Sequence, residues 1–100
     1  MIKIKAKKLH SWKEKSEGLL TSKKPVAIYF KTHFGIHTFF MKYPIDVAIV
    51  DSDGKVVACK ESLTPNKLYL WNPVYNGVLE MPQGNIKKLK IKKGSLIKII

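Results

Sequence analysis

Three carboxylates, Asp46, Glu61 and Glu80, are the residues of this chain best placed for acid–base chemistry. Asp46 opens an apolar run directly after Pro44-Ile45, so its side chain belongs at a rim or partly inside the fold. An unpaired carboxylate there would be costly, and it must meet Lys42, Lys60 or backbone N–H groups. In that case Asp46 is structural. In the sharper reading it is a general base or a ligand, with Glu61 or Glu80 as the second carboxylate. Asp51 and Asp53 flank a turn and are explained by turn chemistry.

His33 and His37 are four residues apart, which is a metal-ligand spacing on a helix. Gly35 between them and the aromatic flanks argue against a helix there. In a strand they would be separated by about 13 Å, too far for one ion. No third ligand is signalled. The chain has a single cysteine, Cys59, which excludes an internal disulfide and fits a small core residue. There is no Gly-rich phosphate loop and no Ser or Cys arrangement suggesting a triad. No metal and no cofactor is therefore expected.

The remaining chemistry lies in aromatic rings and lysines. Phe39, Phe40, Met41 and Tyr43 precede the apolar run, and Tyr69, Trp71 and Tyr75 sit in a Pro- and Asn-rich connection. Most of these belong to the core. The second group could line a cleft for a small ligand or a peptide, or stack on single-stranded nucleic acid. Nineteen lysines and no arginine face seven acidic residues, a net charge of +12. Such a charge attracts polyanions. Bidentate readout of phosphate or guanine, however, is an arginine speciality. Lys3, Lys5 and Lys7, with Lys88, Lys90 and Lys92, form two alternating stripes. Lysines of this kind protect sheet edges from pairing. If the two ends of the chain are neighbours, the stripes merge into a basic face able to hold nucleic acid. Many Lys and Ile with a single Gln (Gln83) also fit a heat-adapted composition.

The elements that must position these residues are mostly strands. Val47 to Val50 and Val56 to Cys59 flank Asp53-Gly54, the strongest short-range hairpin signal. A two-residue loop would pair Val50 with Val57 and set Asp46 opposite Glu61. A three-residue loop with a bulge would set Asp46 against Lys60. Both faces of Val47-Ala48-Ile49-Val50 are apolar, so this strand should be central and covered on both sides. Pro44 fits just before it. Alternation predicts a strand over 2–6, and Ser11 with Glu14 forms a capping box starting a helix from Trp12 to about Leu20. Ser22 to Pro25 reads as a loop, Val26 to Phe30 as a strand and His33 to Gly35 as a turn. Short strands are expected over 38–41, Lys67 to Trp71 and Val78 to Met81. Two more, joined around Gly94, are expected between Ile86 and Ile100.

The stretch EGLL (17–20), the run FFMK–PIDVAIVDSDGKVV (39–57), VLEMPQG (78–84) and the closing KKGS (92–95) together resemble the domain of unknown function 192 family, also called UPF0127. The resemblance covers roughly residues 12 to 99. It implies a small, mostly β single domain and assigns no activity. Two departures stand out. The family commonly has Trp in the place of Phe40, which is conservative for packing. It usually has Asp where Ser95 stands, which argues against a duty needing a carboxylate at that turn.

The expected fold is thus mostly β (β-rich α+β) over a single domain, residues 1–100. It is a compact barrel-like or two-layer sheet of about seven or eight short strands with one short N-terminal helix. The expected function is a non-enzymatic ligand- or partner-binding module with a rim of Lys42, Asp46, Trp71 and Glu80. The partner would be an unidentified small ligand or protein. The alternatives are non-specific nucleic-acid binding through the lysine face, and an enzyme using an Asp46/Glu80 carboxylate site. No apolar run reaches the ~18 residues of a membrane span. The Ile/Lys alternation of MIKIKAKK is not that of a signal peptide, so a soluble cytoplasmic protein is expected.

Overall fold

The two apolar runs on either side of Asp53-Gly54 pair as strands β5 (Ile45–Val50) and β6 (Val56–Leu63) in a computed structural model of the chain. It describes residues 1–9, 27–33, 35–39 and 41–100. The Asp51 N–H donates to the Lys55 carbonyl and the Gly54 N–H to the Asp51 carbonyl, both at 3.0 Å. These bonds enclose a three-residue loop, Ser52-Asp53-Gly54. Gly54 has φ 83°, and a Cβ there would collide with the Ile97 carbonyl oxygen, so glycine is required twice over.

Val50 consequently faces Val56, but a bulge at Val57 then sets Ile49 against Ala58, Ala48 against Cys59 and Val47 against Lys60. The loop length is that of one expected alternative, and the register beyond the bulge is that of the other. A second bulge over Glu61 and Ser62 brings Ile45 opposite Leu63, so both residues lie across from Asp46. Ser62 takes the left-handed conformation there, φ 53°.

β5 is central, as its two apolar faces require. It lies between β6 and β8 (Gly77–Pro82) in a sheet completed by β3 (Ile28–Lys31) and β2 (Lys7–Lys8), in the order β2-β3-β8-β5-β6. All six residues of β5 are buried. Alternation sends Ile45, Val47 and Ile49 with Ile28, Phe30 and Val78 into one core, and Ala48 and Val50 with Leu79 and Met81 into a second on the other face. Each fully buried Val or Ile stabilises the fold by roughly 1.5–3 kcal/mol. The antiparallel ribbon of β4 (Ile36–His37) and β7 (Leu68–Tyr69) covers the first core. The parallel ribbon of β1 (Ile2–Ile4) and β9 (Ile97–Ile99) covers the second, beside Ile86 of a helical turn, α1 (Asn85–Lys88).

The mostly β architecture is present, but among the described residues the sheet is open and not closed into a barrel. The helix expected from Trp12, the loop after it, Val26, Phe34 and Phe40 lie outside the described residues. The strand expected over 38–41 lies earlier, at Ile36–His37. Two strands were expected between Ile86 and Ile100, and only β9 forms. Asn85 to Lys88 coil instead, because Ile86, Leu89 and Ile91 all turn inward to the second core. The start of the coil is held by a group distant in sequence.

Candidate functional site

That group is Asp46. Its carboxylate is 0% exposed, and its Oδ2 accepts the N–H of Gly84 at 3.0 Å and of Ile86 at 2.9 Å. Its Oδ1 accepts the Ser62 N–H at 2.9 Å. One side chain thus caps α1, whose own N-cap residue Gly84 offers no side chain, and fixes the strained residue of the β6 bulge. Of the partners the sequence offered, backbone N–H groups are the ones used. Gln83 Nε2 donates to Ser62 Oγ at 3.0 Å and closes the same corner.

Glu80 stands on β8 directly opposite Val47, whereas Asp46 is opposite Met81. Glu80 therefore points to the face of the first core, and Asp46 to the face of the second. The expected Asp46/Glu80 pair is not formed, because strand alternation puts the sheet between the two carboxylates. Glu61, the other candidate partner, is exposed on the edge strand β6. Glu80 is 1% exposed. The Tyr43 phenol is pushed above its ordinary pKa, first by burial and second by the negative charge of Glu80. The four-residue rim is accordingly divided. Lys42 is exposed, Trp71 is half-buried against the first core, Glu80 is buried on the same face, and Asp46 lies on the far side of the sheet.

The aromatic connection after β7 is tied down firmly. Trp71 Nε1 donates to the Tyr75 carbonyl at 2.7 Å, and His33 Nδ1 donates to the Pro73 carbonyl at 2.7 Å. Buried Thr38 fixes the ribbon from below. Its Oγ1 donates to the Thr64 carbonyl at 2.7 Å and accepts the Lys67 N–H at 2.9 Å. Tyr69 and Trp71 face inward with ring centroids 5.8 Å apart, and burial raises the Tyr69 pKa, with Cys59 a lesser cause. The alternate residues Leu68 and Leu70 face outward, 64% and 68% exposed. His37 is paired with Leu68, and Phe39, 40% exposed, stacks on His37 at 4.9 Å. The two candidate metal ligands thus have separate tasks: His33 bonds to the loop and His37 lies under Phe39.

The sequence expectations for this segment name the rings and not this outward face. A signal was present. In Leu68-Tyr69-Leu70-Trp71 both alternating sets are apolar, and a ribbon with one core beneath it must expose one of them.

The lysine stripes are only partly assembled. The chain ends are neighbours, with Lys3 opposite Lys98 across β1 and β9. Lys3, Lys5 and Lys7 line an open groove with Ala27, Asn85 and Leu89. Lys88 belongs to α1, however, and Lys90 and Lys92 lie in the connection after it, so they are not a strand stripe and do not line that groove. Ser95 Oγ accepts the Lys92 N–H at 3.0 Å. A serine can thus carry out the turn bonding that an aspartate would perform at this position.

No helix among the described residues is long and apolar enough to cross a membrane. The model of the DUF192 family, described as "Uncharacterized ACR", matches residues 2–99. No curated protein matches the sequence. Two solved structures are similar to the fold. One is a protein of unknown function from Novosphingobium aromaticivorans, with TM-score 0.70 and 18% identity over 89% of this chain and 70% of that one. The other is titled a putative transcription regulator from Sinorhizobium meliloti, with TM-score 0.66 and 18% identity over 84% of this chain and 72% of that one. At this identity the likeness is one of fold alone.

Proposed function

The chain belongs to the DUF192 family of uncharacterised proteins, and from that premise we propose that it is a non-enzymatic module binding a ligand or partner on the β4–β7 lobe. The observation that supports this reading is the outward face of Leu68 and Leu70, beside His37 and Phe39. Large apolar side chains grouped on a surface mark an interaction site more often than scattered ones do. The lobe is braced by Thr38, Trp71 and His33, so little ordering entropy would be lost on binding. Of the residues expected at the site, Lys42 and Trp71 belong to this lobe, while Asp46 serves the fold. Selection of peptides and small molecules from libraries, on the native chain and on Leu68→Asp/Leu70→Asp, tests the reading. Ligands that require the two leucines support it, and ligands indifferent to them would exclude the lobe.

Polyanion binding is the second reading, and it is favoured by Lys3 opposite Lys98 beside a groove carrying Lys5 and Lys7. Titration of single-stranded RNA and a DNA duplex against salt separates the two. Affinity that persists near ~0.15 M salt and falls linearly in log–log form would favour the groove.

A further inference from the structure

We infer that the partner of the β4–β7 lobe is an acidic polypeptide segment carrying aliphatic or aromatic anchors. This inference rests on the lobe being a binding surface. The described residues of 32–42 and 64–76, which build the lobe, include Lys42 and Lys67 with His33 and His37, and not one Asp or Glu. Of the chain's acidic residues among those described, Asp46 and Glu80 are buried, Asp51 and Asp53 sit at the β5–β6 turn, and Glu61 is exposed on the edge strand β6. A second copy of a chain with net charge +12 would meet repulsion at this surface, whereas an acidic segment would be attracted to it.

The exposed side chains select polypeptide over nucleic acid. Base stacking needs flat rings open to solvent. Here Tyr69, Trp71 and Tyr75 are half-buried against the core, and the Trp71 N–H is consumed by the Tyr75 carbonyl. The groups that project are Leu68, Leu70 and Val74, whose branched aliphatic shapes suit apolar anchors. Phe39, an exposed ring, already stacks on His37. Arginine, the usual partner of phosphate and of stacked bases, is missing from the chain. The surface is also preformed: Gly35 has φ 85°, and Leu70 packs where a Cβ would otherwise stand.

The experiment titrates the isotope-labelled protein with four probes: a peptide of Glu, Leu and Phe; its analogue with every Glu replaced by Lys; its analogue with Leu and Phe replaced by Ser; and oligothymidylate. The acidic apolar peptide should shift the amides of His37, Phe39, Leu68 and Leu70. Its affinity should fall at least about tenfold with Leu70→Asp, and also with the charge reversal Lys67→Glu. Both residues are exposed, so these variants retain the fold, which a melting curve verifies. Equal binding of the lysine analogue at the same amides would overturn the acidic preference and leave the lobe as a site. Equal binding of the serine analogue would overturn the apolar anchors. Tighter binding of oligothymidylate at these amides would make the partner a nucleic acid. If no probe shifts the lobe, both the inference and the reading beneath it fail.

Discussion

Asp46 holds Ile86 from across the domain: its Oδ2 accepts the Ile86 N–H at 2.9 Å, forty residues further along the chain. The same carboxylate accepts from Gly84 and Ser62, so one side chain joins the central strand, the edge-strand bulge and the start of α1. An apolar substitution removes the acceptor of three N–H groups, that of Ile86 buried and those of Gly84 and Ser62 part-buried. Each buried unsatisfied donor costs ~1–3 kcal/mol. Asp46→Ala should therefore lose ~2–4 kcal/mol in urea unfolding, a large part of the stability of a small protein. Glu80→Ala should lose less. Equal and negligible losses would refute the structural assignment.

Glu80 and Tyr43 provide a test at alkaline pH. Burial and the Glu80 charge together raise the Tyr43 pKa above 10.0. The unfolded phenol ionises first, so this contribution to stability is complete below pH 10.0 and is lost as pH rises through the folded value. Glu80→Gln removes the lesser cause. Phenolate absorbance should then show the Tyr43 transition moved down but still above its ordinary position. An unmoved transition would mean that Glu80 does not act on Tyr43.

The residues that made the fold legible were those whose instructions are local. Asp53-Gly54 specified a hairpin, and the two apolar faces of 47–50 specified a buried central strand. The sequence also requires Asp46 to find partners, with backbone N–H groups among them. Which N–H groups they would be depended on two bulges and on how 84–86 crosses the sheet, and no local pattern encodes either. The same limit explains α1. The alternation of lysines with apolar residues after Ile86 reads as a strand until the capping carboxylate arrives from β5. The four-residue rim is divided for a different reason. Which faces Asp46 and Glu80 take is decided by the strand register, and no local pattern carries that register.

The β5–β6 turn should respond in proportion to what each residue supplies. Asp51 Oδ1 accepts the Asp53 N–H at 2.9 Å and the Lys55 N–H at 3.0 Å in an exposed loop. Asp51→Ala should cost ~1 kcal/mol, measured by thermal unfolding. Gly54→Ala should cost more, ~2 kcal/mol or above, since it adds left-handed strain to a clash with the Ile97 carbonyl. It should also weaken the docking of β9, visible as faster amide exchange at Ile97, whose N–H donates to the Gly54 carbonyl at 2.8 Å. If both substitutions cost the same, the glycine requirement is not steric.

The lobe separates binding from folding most sharply, because its two alternating sets face opposite environments. Trp71 and Tyr69 pack on the first core, and truncating Trp71 to Ala leaves a void there and removes the bond to Tyr75. Large aromatic truncations in cores cost ~3–5 kcal/mol, and a half-buried ring should fall at or below the low end. Leu68 and Leu70 contact solvent on their outer side, and Leu68→Asp/Leu70→Asp should change stability by no more than ~0.5 kcal/mol per site. Comparing the two variants by urea unfolding checks the orientation of the ribbon directly. A loss from the leucine pair as large as that from Trp71→Ala would mean that the leucines are part of the core. The outer face would then not be a surface for any partner.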